Sequence, residues 1–196
     1  MGFAVAQAAQ TAGHEVTLIA GPVSLKTPRG VQRVDVVSAR DMFAAVRNTL
    51  KKHVAESIAL VMTAAVADWR PAKCASKKLK KSQMDGTLRL VRNPDILNTL
   101  NRTLARSVKE RLVRVGFAAE TGNPTKEAMR KCREKGLDFI VANDVSRSDS
   151  GFGTRTNRVN MMFRDGRTLP LPLMSKLSVA RRIVREIILL AKANGN

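Results

Sequence analysis

Residues 64–81, with the sequence AAVADWRPAKCASKKLKK, combine one carboxylate with a cluster of lysines. Asp68 follows small apolar residues that predict the end of a buried strand and leave room for a ligand at the backbone. A carboxylate accepts hydrogen bonds and lysines supply positive charge, so the stretch has the groups that a polar, anionic ligand would need. A solvated lysine run is the alternative. The lysines of the cluster are Lys77, Lys78, Lys80 and Lys81.

The net charge of +19 fits two classes of partner, nucleic acids and small polyanions. Basic residues are spread over nearly every predicted element, which favours a solvated surface for most of them. Aromatic residues make up only 4% of the chain and tyrosine is absent, so stacking platforms for single-stranded nucleic acid are not expected. We therefore expect a solvated surface for most of this charge and no nucleic acid as a partner.

Composition also limits the class of protein. A chain of 196 residues with 44% hydrophobic residues predicts a single domain, residues 1–196, around one core. No apolar run is long enough to span a membrane, and no signal-peptide pattern opens the chain. Cys74 and Cys132 have neither disulfide-framework nor metal-ligand spacing. We expect free thiols in the cytoplasm and no metal site built by the protein alone.

Strand and helix signals alternate along the chain. Ser38 is a predicted N-cap, and Pro94 and Pro124 each predict a helix with proline in its first position. Asp165 and Gly166 predict the turn of a hairpin. The predicted strands cover residues 14–20, 31–38, 57–66, 86–93, 111–119, 137–144, 158–164 and 168–173, and the predicted helices cover residues 1–12, 38–53, 94–106, 124–135 and 177–191.

Strands rich in Val, Ile and Ala that alternate with helices predict a mostly parallel sheet covered on both faces. The predicted fold class is α/β, a doubly wound, Rossmann-like sheet with a small C-terminal β-hairpin. Ligands of such sheets bind outside the carboxyl ends of the strands. Those ends are expected at residues 64–68, 116–120 and 142–144, where polar or small residues occur.

Residues 1–21 resemble the back half of a dinucleotide-binding unit, because they contain its helix, its Gly-His turn and its second strand. The first strand and the phosphate loop of that unit are expected to be missing from the domain. The second strand ends on Ala20, Gly21 and Pro22, whereas a nicotinamide-dependent enzyme needs Asp or Glu there to hold the ribose. The sequence therefore argues against an NAD(P)-dependent reductase, and the absence of a P-loop motif excludes P-loop enzymes.

Five motifs occur in one order along the chain: TAAVADWRP, KKLKK, NPDIL, GFAAET, and ANDV followed by GF. Together they resemble phosphopantothenate-cysteine ligases, the synthetase half of the bacterial bifunctional phosphopantothenoylcysteine synthetase/decarboxylase of coenzyme A biosynthesis. The resemblance runs from Met1 to about Leu190. It implies a ligase that joins 4'-phosphopantothenate to L-cysteine through an acyl-cytidylate, using CTP and a divalent metal, usually Mg²⁺.

The resemblance also implies roles for individual residues. Lys78 matches a nucleotide-binding lysine and is the residue we expect to stabilise the transition state. Asp68 matches a ribose contact, while plain core packing is the alternative for Phe117 and an ordinary helix beginning is the alternative for Asp95. Lys131 matches a phosphate contact and is also spaced to pair with a glutamate of its own helix. The expected nucleotide-binding residues are Met62, Thr63, Ala64, Asp68, Lys78, Pro94, Asp95, Ile96, Leu97, Phe117, Lys131 and Lys135.

Further expectations concern partners and order. The family's first strand and a flexible segment with triphosphate contacts would precede Met1, and a decarboxylase domain is expected to be fused or associated. The family and the apolar alternation of residues 158–173 predict a homodimer, since a hairpin standing alone leaves an exposed edge. Residues 70–81 offer few apolar anchors, so CTP is expected to order them, with Leu79 packing inward. A basic nucleic-acid-binding protein and an NAD(P)-dependent reductase are the alternatives.

Overall fold

The structure, a computed structural model, describes residues 1–53, 57–78, 80, 86–120, 124–144 and 154–194. Helices and strands alternate through this part of the chain, as the sequence predicts. The helices are α1 (Gly2–Thr11), α2 (Ala39–Lys52), α3 (Ile96–Thr103), α4 (Arg106–Glu110), α5 (Pro124–Glu134) and α6 (Lys176–Asn194). The strands are β1 (Thr17–Ala20), β2 (Gln32–Asp35), β3 (Ile58–Met62), β4 (Trp69–Pro71), β5 (Leu90–Arg92), β6 (Leu112–Glu120), β7 (Phe139–Asp144), β8 (Thr156–Phe163) and β9 (Thr168–Ser175).

A five-stranded sheet in the order β3-β6-β7-β8-β9 forms the centre of the fold. Its strands β3, β6 and β7 are parallel, and β8 and β9 continue it as an antiparallel hairpin. Strands β1 and β2 form a separate parallel pair, and β4 and β5 form a separate antiparallel pair. The α/β class and the parallel sheet of its first half are confirmed.

Apolar side chains cover both faces of the central sheet. On one face, α1 and α6 pack against residues such as Val115 and Val141, which are fully buried. On the other face, α2, α3 and α4 surround Leu100 and Leu112, and α5 contributes the buried Cys132. Burying a side chain of this kind contributes roughly 1.5–3 kcal/mol. The core therefore fixes the strands whose ends carry the candidate residues.

The helix predicted to start at Pro94 begins later than expected. Helix α3 starts at Ile96 and its N-cap is Asp95, so Pro94 precedes the helix and does not occupy its first position. The Asp95 carboxylate accepts a hydrogen bond from the Asn98 amide at 3.1 Å, which satisfies one of the free donors of the first turn. The predicted single helix also ends early, because Leu104 is extended and separates α3 from α4.

Two strand predictions also need correction. β3 ends at Met62, so Asp68 follows an irregular segment and does not end the strand. β5 is shorter than predicted, and it pairs with β4, a strand that the sequence did not indicate. The hairpin of β8 and β9 is confirmed, but it joins β7 and does not stand alone. Its outer strand carries Pro170 and Pro172, and prolines restrict further pairing at an edge.

Two predicted helix starts are confirmed. Ser38 is the N-cap of α2, and its side chain forms a reciprocal capping box with Asp41. Pro124 occupies the first position of α5. Among the described helices, none is long and apolar enough to cross a lipid bilayer.

Candidate active site

The carboxyl ends of β3, β6 and β7 lie at one edge of the central sheet. Met62 at the end of β3 pairs with Gly116 of β6, so Thr63 and Ala64 leave the sheet beside Phe117. Ala64 is exposed, and Met62 and Thr63 are half-buried. The main chain at this edge is accessible to a ligand, which is the arrangement that open α/β sheets use for binding.

Asn93 ties the segment that carries Asp68 to the segment that precedes α3. Its backbone amide donates to the Asp68 carbonyl at 2.7 Å, and its side-chain amide donates to the Ala67 carbonyl at 2.8 Å. The Arg70 guanidinium donates to the Asn93 side-chain oxygen at 3.2 Å and also to the Arg92 carbonyl. Asp68 itself is exposed. Its carboxylate is therefore presented to solvent from a loop that is fixed by hydrogen bonds.

Asp95 and Lys135 come together from distant parts of the chain. Besides its N-cap bond, the Asp95 carboxylate accepts a hydrogen bond from the Asn98 side chain at 2.9 Å. The Lys135 ammonium lies 3.6 Å from the same carboxylate. The Lys135 carbonyl accepts a hydrogen bond of 2.6 Å from Asn101 of α3. The end of α5 is thereby held against α3, and a cation stands at the amino end of that helix.

The four candidates from Pro94 to Leu97 offer main-chain groups more than side chains. Ile96 and Leu97 are only 5% and 8% exposed, because their side chains pack in the core. Pro94 is half-buried. The Asp95 carboxylate already accepts a hydrogen bond from one amide of the first turn. Its negative charge also repels any further anion at this helix end. This segment therefore suits a hydroxyl or a base edge better than a phosphate group.

Lys131 lies on α5 one turn before Lys135. Its ammonium is 3.8 Å from the Glu127 carboxylate, which confirms the predicted surface pair. Hydrogen bonds from Arg130 lower the pKa of Glu127, and the nearby charges of Arg130 and Lys131 act in the same direction. Both lysines remain partly exposed, so either can turn toward a polyanion.

Lys78 is not joined to the other candidates. It lies in the exposed residues 72–78 after β4, and no hydrogen bond or ion pair links it to another candidate in the described part of the chain. Leu79 and Lys81 fall outside the described residues. The ordering of this loop by CTP stays a prediction.

Two buried asparagines were not among the predicted site residues. Asn143 and Asn157 are 8% and 2% exposed, and no hydrogen bond is found for the side-chain oxygen of either. Asn143 pairs with Val159, and Asn157 precedes Val159 by two residues on β8, so both lie on one face of the sheet at its carboxyl edge. Buried polar atoms are normally hydrogen-bonded. For Asn143, the signal in the sequence is a side-chain amide directly after the apolar run FIVA, residues 139–142.

The described residues contain no cluster of three or more His, Cys, Asp or Glu side chains that could hold a metal ion. Mg²⁺ is commonly bound through one or two carboxylates together with substrate phosphates. A magnesium ion carried by a nucleotide triphosphate is compatible with the lysines and single carboxylates of this edge.

Residues 1–190 match the family described as DNA/pantothenate metabolism flavoprotein, C-terminal domain. The chain belongs to this family. It is 44% identical over 196 residues to the coenzyme A biosynthesis bifunctional protein CoaBC of Bacillus subtilis (strain 168), covering 100% of this chain and 46% of that protein. It is 41% identical over 191 residues to CoaBC of Escherichia coli (strain K12), covering 96% and 45%. The chain thus spans less than half the length of these relatives.

Solved structures agree with this assignment. The crystal structure of the C-terminal domain of a CoaBC protein superimposes with a TM-score of 0.76 at 36% identity, covering 98% of this chain and 84% of that one. A Cab2 mutant in complex with phosphopantothenate-cysteine has a TM-score of 0.70 at 14% identity, covering 98% and 77%, and this likeness shows the fold alone. The resemblance to the ligase family that the five motifs indicate is confirmed.

Proposed function

We propose that this domain is a ligase of coenzyme A biosynthesis that joins 4'-phosphopantothenate to L-cysteine, with CTP and Mg²⁺ as co-substrate and metal. One observation carries the proposal beyond family membership. Asn93 ties the Asp68 segment to the segment before α3, and Asp95 draws Lys135 to the same place. One carboxylate that can accept hydrogen bonds from hydroxyls and one cation that can bind phosphate are thus both linked to residues 93–95.

The proposed reaction has two steps. A carboxylate oxygen of the acid attacks the α-phosphorus of CTP, a new phosphorus–oxygen bond forms, and pyrophosphate leaves with the electrons of the bond that breaks. The cysteine amine then attacks the acyl carbon of the acyl-cytidylate, CMP leaves, and the nitrogen loses a proton. Lysines that face the phosphates stabilise the negative charge that develops at the α-phosphorus.

Each candidate residue has a role in this proposal. Asp68 accepts hydrogen bonds from the ribose, and main-chain groups of residues 62–64 and 94–97 hold the base and sugar. Lys131 and Lys135 bind phosphates, and Lys78 swings onto the triphosphate when the loop closes. Phe117 follows Gly116, the partner of Met62, and packs against the core beneath α1 and α6; the proposal gives its remaining surface to an apolar wall of the pocket.

The proposal includes two partners. Relatives are named as bifunctional proteins, and we propose that this domain works fused to or associated with a phosphopantothenoylcysteine decarboxylase domain. We also propose a homodimer, because Trp69, Leu88 and Leu90 expose apolar surface that a second copy could cover.

A lysine comparison tests the function. Lys78→Gln is expected to lower CTP-dependent pyrophosphate release at least tenfold in the presence of 4'-phosphopantothenate and Mg²⁺. Lys77→Gln, the matched control in the same exposed loop, is expected to change it less than twofold. Both substitutions lie on the surface, so the free energy of unfolding should shift by about 0.5 kcal/mol or less. Equal rates for the two variants would remove Lys78 from the site.

The wild-type chain provides the broader test. Pyrophosphate release should require 4'-phosphopantothenate, and adding L-cysteine should yield CMP together with the amide. Replacing CTP with ATP in the same assay measures the base preference. A folded protein that carries this domain together with the segment expected ahead of Met1, and that binds no CTP and releases no pyrophosphate, contradicts the proposed activity.

A further inference from the structure

Asn101 of helix α3 connects two elements that lie far apart in the sequence. Its side-chain nitrogen donates a hydrogen bond of 2.6 Å to the Lys135 carbonyl, 34 residues away. Its side-chain oxygen accepts a hydrogen bond of 3.1 Å from the Arg114 guanidinium of β6, 13 residues away. A carbonyl only accepts and a guanidinium only donates, so these two partners fix the orientation of the amide. Asn101 is therefore held from both ends at the place where α5 ends.

Arg114 is a fixed anchor for this amide. Its main-chain amide donates to the Asp138 carboxylate at 2.7 Å, and its carbonyl accepts from the Asp138 amide at 2.8 Å. The side chains of Arg114 and Asp138 are only 16% and 19% exposed, and the Arg114 Nε lies 3.8 Å from the same carboxylate. These contacts, two of them through the main chain of Arg114, restrict the movement of both residues. Asn101 thus takes its position from β6 of the central sheet.

Gly136 leaves room for the Asn101 side chain beside the end of α5. The helix ends in a Schellman motif, in which the amides of Gly136 and of the next residue donate to carbonyls of the last helical turn at 3.1 and 2.9 Å. Gly136 has a φ of +59°, the left-handed conformation that this motif requires, and a Cβ there would lie 3.0 Å from the Asn101 side-chain nitrogen. The two bonds of the motif do not involve the Lys135 carbonyl, and Asn101 provides the donor for it.

The Lys135 side chain runs along α3 toward the amino end of that helix. Its main chain is fixed beside Asn101, and its ammonium lies 3.6 Å from the carboxylate of Asp95, the N-cap of α3. Asp95 and Asn101 are six residues apart in the sequence, which corresponds to about 9 Å along a helix axis. The lysine stem therefore has to extend along the helix, and a small shift of the Lys135 main chain takes its ammonium away from the candidate site.

We propose that Asn101 is a positioning residue for Lys135: it holds the main chain of Lys135 so that the ammonium stands next to Asp95, from where it turns to a phosphate group of the nucleotide. The identity of this anion rests on the proposed function. Asn101 is half-buried and both ends of its amide are occupied, so it acts through Lys135 and does not contact the nucleotide. A displacement of about 1 Å in a group that positions a substrate can lower activity by a factor of about 100.

Steady-state kinetics separate this role from a purely structural one. Asn101→Ala should raise the KM for CTP at least fivefold and change kcat less than twofold, because the phosphate contact of Lys135 is lost from substrate binding and from the transition state alike. Partial unfolding has the opposite signature, since it lowers the amount of active protein and leaves KM unchanged. The measurement uses a protein that carries this domain together with the segment expected ahead of Met1, with pyrophosphate release as the signal.

Arg167→Leu is the control for a loss of stability alone. It removes the 3.0 Å ion pair with Glu186, which is 7% exposed on α6, across the central sheet from α3. Tm should fall in this variant because a buried carboxylate loses its partner, while the KM for CTP stays within twofold of the wild-type value. A KM that rises equally in Asn101→Ala and Arg167→Leu overturns the proposal.

A double variant shows whether Asn101 acts through the lysine. Lys135→Met removes the ammonium, keeps an unbranched side chain and should raise the KM for CTP by itself. In that background Asn101→Ala should change KM less than twofold, because no ammonium is left to position. Independent, multiplicative increases in KM refute the role of Asn101. Gly136→Ala crowds the Asn101 side chain from α5 and should reproduce the rise in KM, which provides a second variant if Asn101→Ala folds poorly.

Chemical labelling tests the position of Lys135 without any nucleotide. Acetylation of Lys135 by acetic anhydride, followed by mass spectrometry, should be at least threefold faster in Asn101→Ala, because the amine is released from Asp95. Lys131 lies one turn earlier on the same helix and should react at the same rate in both proteins, which makes it the internal control. Equal rates for Lys135 in both proteins overturn the positioning role. A wild-type protein that releases no pyrophosphate contradicts only the proposed reaction, and the labelling still decides the role of Asn101.

Discussion

Asn93 links two segments of the candidate site that are distant in sequence. Its amide and side chain hold the Asp68 and Ala67 carbonyls, and Arg70 holds its side-chain oxygen. Asp68 is exposed, so its position depends on these backbone contacts and not on packing of its own side chain. Asn93 acts as a positioning residue for the proposed ribose contact.

Replacing Asn93 tests that role. Asn93→Ala removes two hydrogen bonds, and each contributes about 0.5–1.5 kcal/mol to stability. We expect a lower Tm and at least a fivefold weaker affinity for CTP, measured by calorimetry. Thr103→Ala is the control, because its hydroxyl bonds only the Thr99 carbonyl of the same helix among the described contacts and it is exposed. If Asn93→Ala lowers Tm while CTP affinity stays at the wild-type value, the link has a structural role only.

Gly116 makes room for a buried leucine. A Cβ at this position would lie 2.5 Å from the Cδ1 atom of Leu137, which is itself 1% exposed. Gly116→Ala is therefore expected to destabilise the fold by about 1–3 kcal/mol in urea unfolding. The double variant with Leu137→Ala should lose less than the sum of the two single losses, because the smaller side chain relieves the clash. Additive losses would show that strain at this position is not what Gly116 avoids.

Sequence reasoning found most of the candidate residues, but it did not predict the contacts between distant segments that hold them. Asp68 and Lys78 stand out by their neighbours in the chain. The role of Asn93 depends on a bond to Ala67, which is 26 residues away. The contact between Asp95 and Lys135 likewise requires α3 and α5 to pack together. No periodicity in the sequence predicts either of these two contacts.

At the scale of elements, helix α2 starts with a reciprocal capping box. The Ser38 hydroxyl accepts a hydrogen bond from the Asp41 amide at 3.2 Å, and the Asp41 carboxylate accepts one from the Ser38 amide at 2.9 Å. The hydrogen bonds from the Ser38 hydroxyl and amide lower the pKa of Asp41 below its ordinary value of 3.8. The ionised carboxylate is thus the form that the folded helix prefers.

This pKa shift gives the stability of the cap a defined pH dependence. The lowered pKa means that the contribution of Asp41 is complete above its unfolded value and is lost as the pH falls through the folded value. Asp41→Asn should reduce Tm at pH 7, and the difference from the wild-type chain should shrink when the pH is lowered below 3.8. Glu15→Gln, at another exposed carboxylate, serves as the control. A difference in Tm that stays constant down to pH 2 contradicts the assignment.

Elements that begin with a strong local signal, such as a capping residue or a proline, were predicted well. The cap at Ser38 and the proline that opens α5 lie where the sequence indicates them. The start of α3 was misplaced because the Asn93 side chain bonds Ala67 and Arg70, and Asp95, which follows the proline, caps the helix. Strand β4 was missed because three residues with an exposed tryptophan acquire strand geometry only by pairing with β5.

At the scale of the whole molecule, the excess of positive charge is consistent with a polyanionic substrate. The sequence has 35 Lys and Arg residues against 16 Asp and Glu residues. Some of the charge is locally paired, as in the contacts of Arg130 with Glu127 and Glu134. A net positive potential attracts triphosphates and is screened by salt. A field of this kind attracts any polyanion, so net charge alone does not indicate a nucleic-acid site.

Exposed apolar side chains on the β4–β5 pair and on Leu88, two residues before β5, give a reason for self-association. Trp69, Leu88 and Leu90 are 50%, 66% and 47% exposed, and Arg92 lies over the Trp69 ring at 5.2 Å. The sequence analysis bases the dimer partly on the β8–β9 hairpin. That hairpin is already paired with β7 and carries prolines on its outer strand. The β4–β5 pair is therefore the stronger candidate for a contact between two copies.

We expect a two-fold homodimer whose interface includes this apolar face. Burying apolar surface contributes about 25 cal/mol per Å², so covering Trp69, Leu88 and Leu90 in both copies favours association. Sedimentation velocity at micromolar concentration should show a dimer for the wild-type chain and a monomer for Leu88→Glu. Leu173→Glu, on the proline-bearing edge strand, should remain a dimer. A wild-type monomer at every concentration, or equal dissociation of the two variants, would contradict this interface. Because the exposed β4–β5 pair leads directly into Asn93, loss of the dimer in Leu88→Glu should also weaken CTP binding, which calorimetry on the same samples can measure.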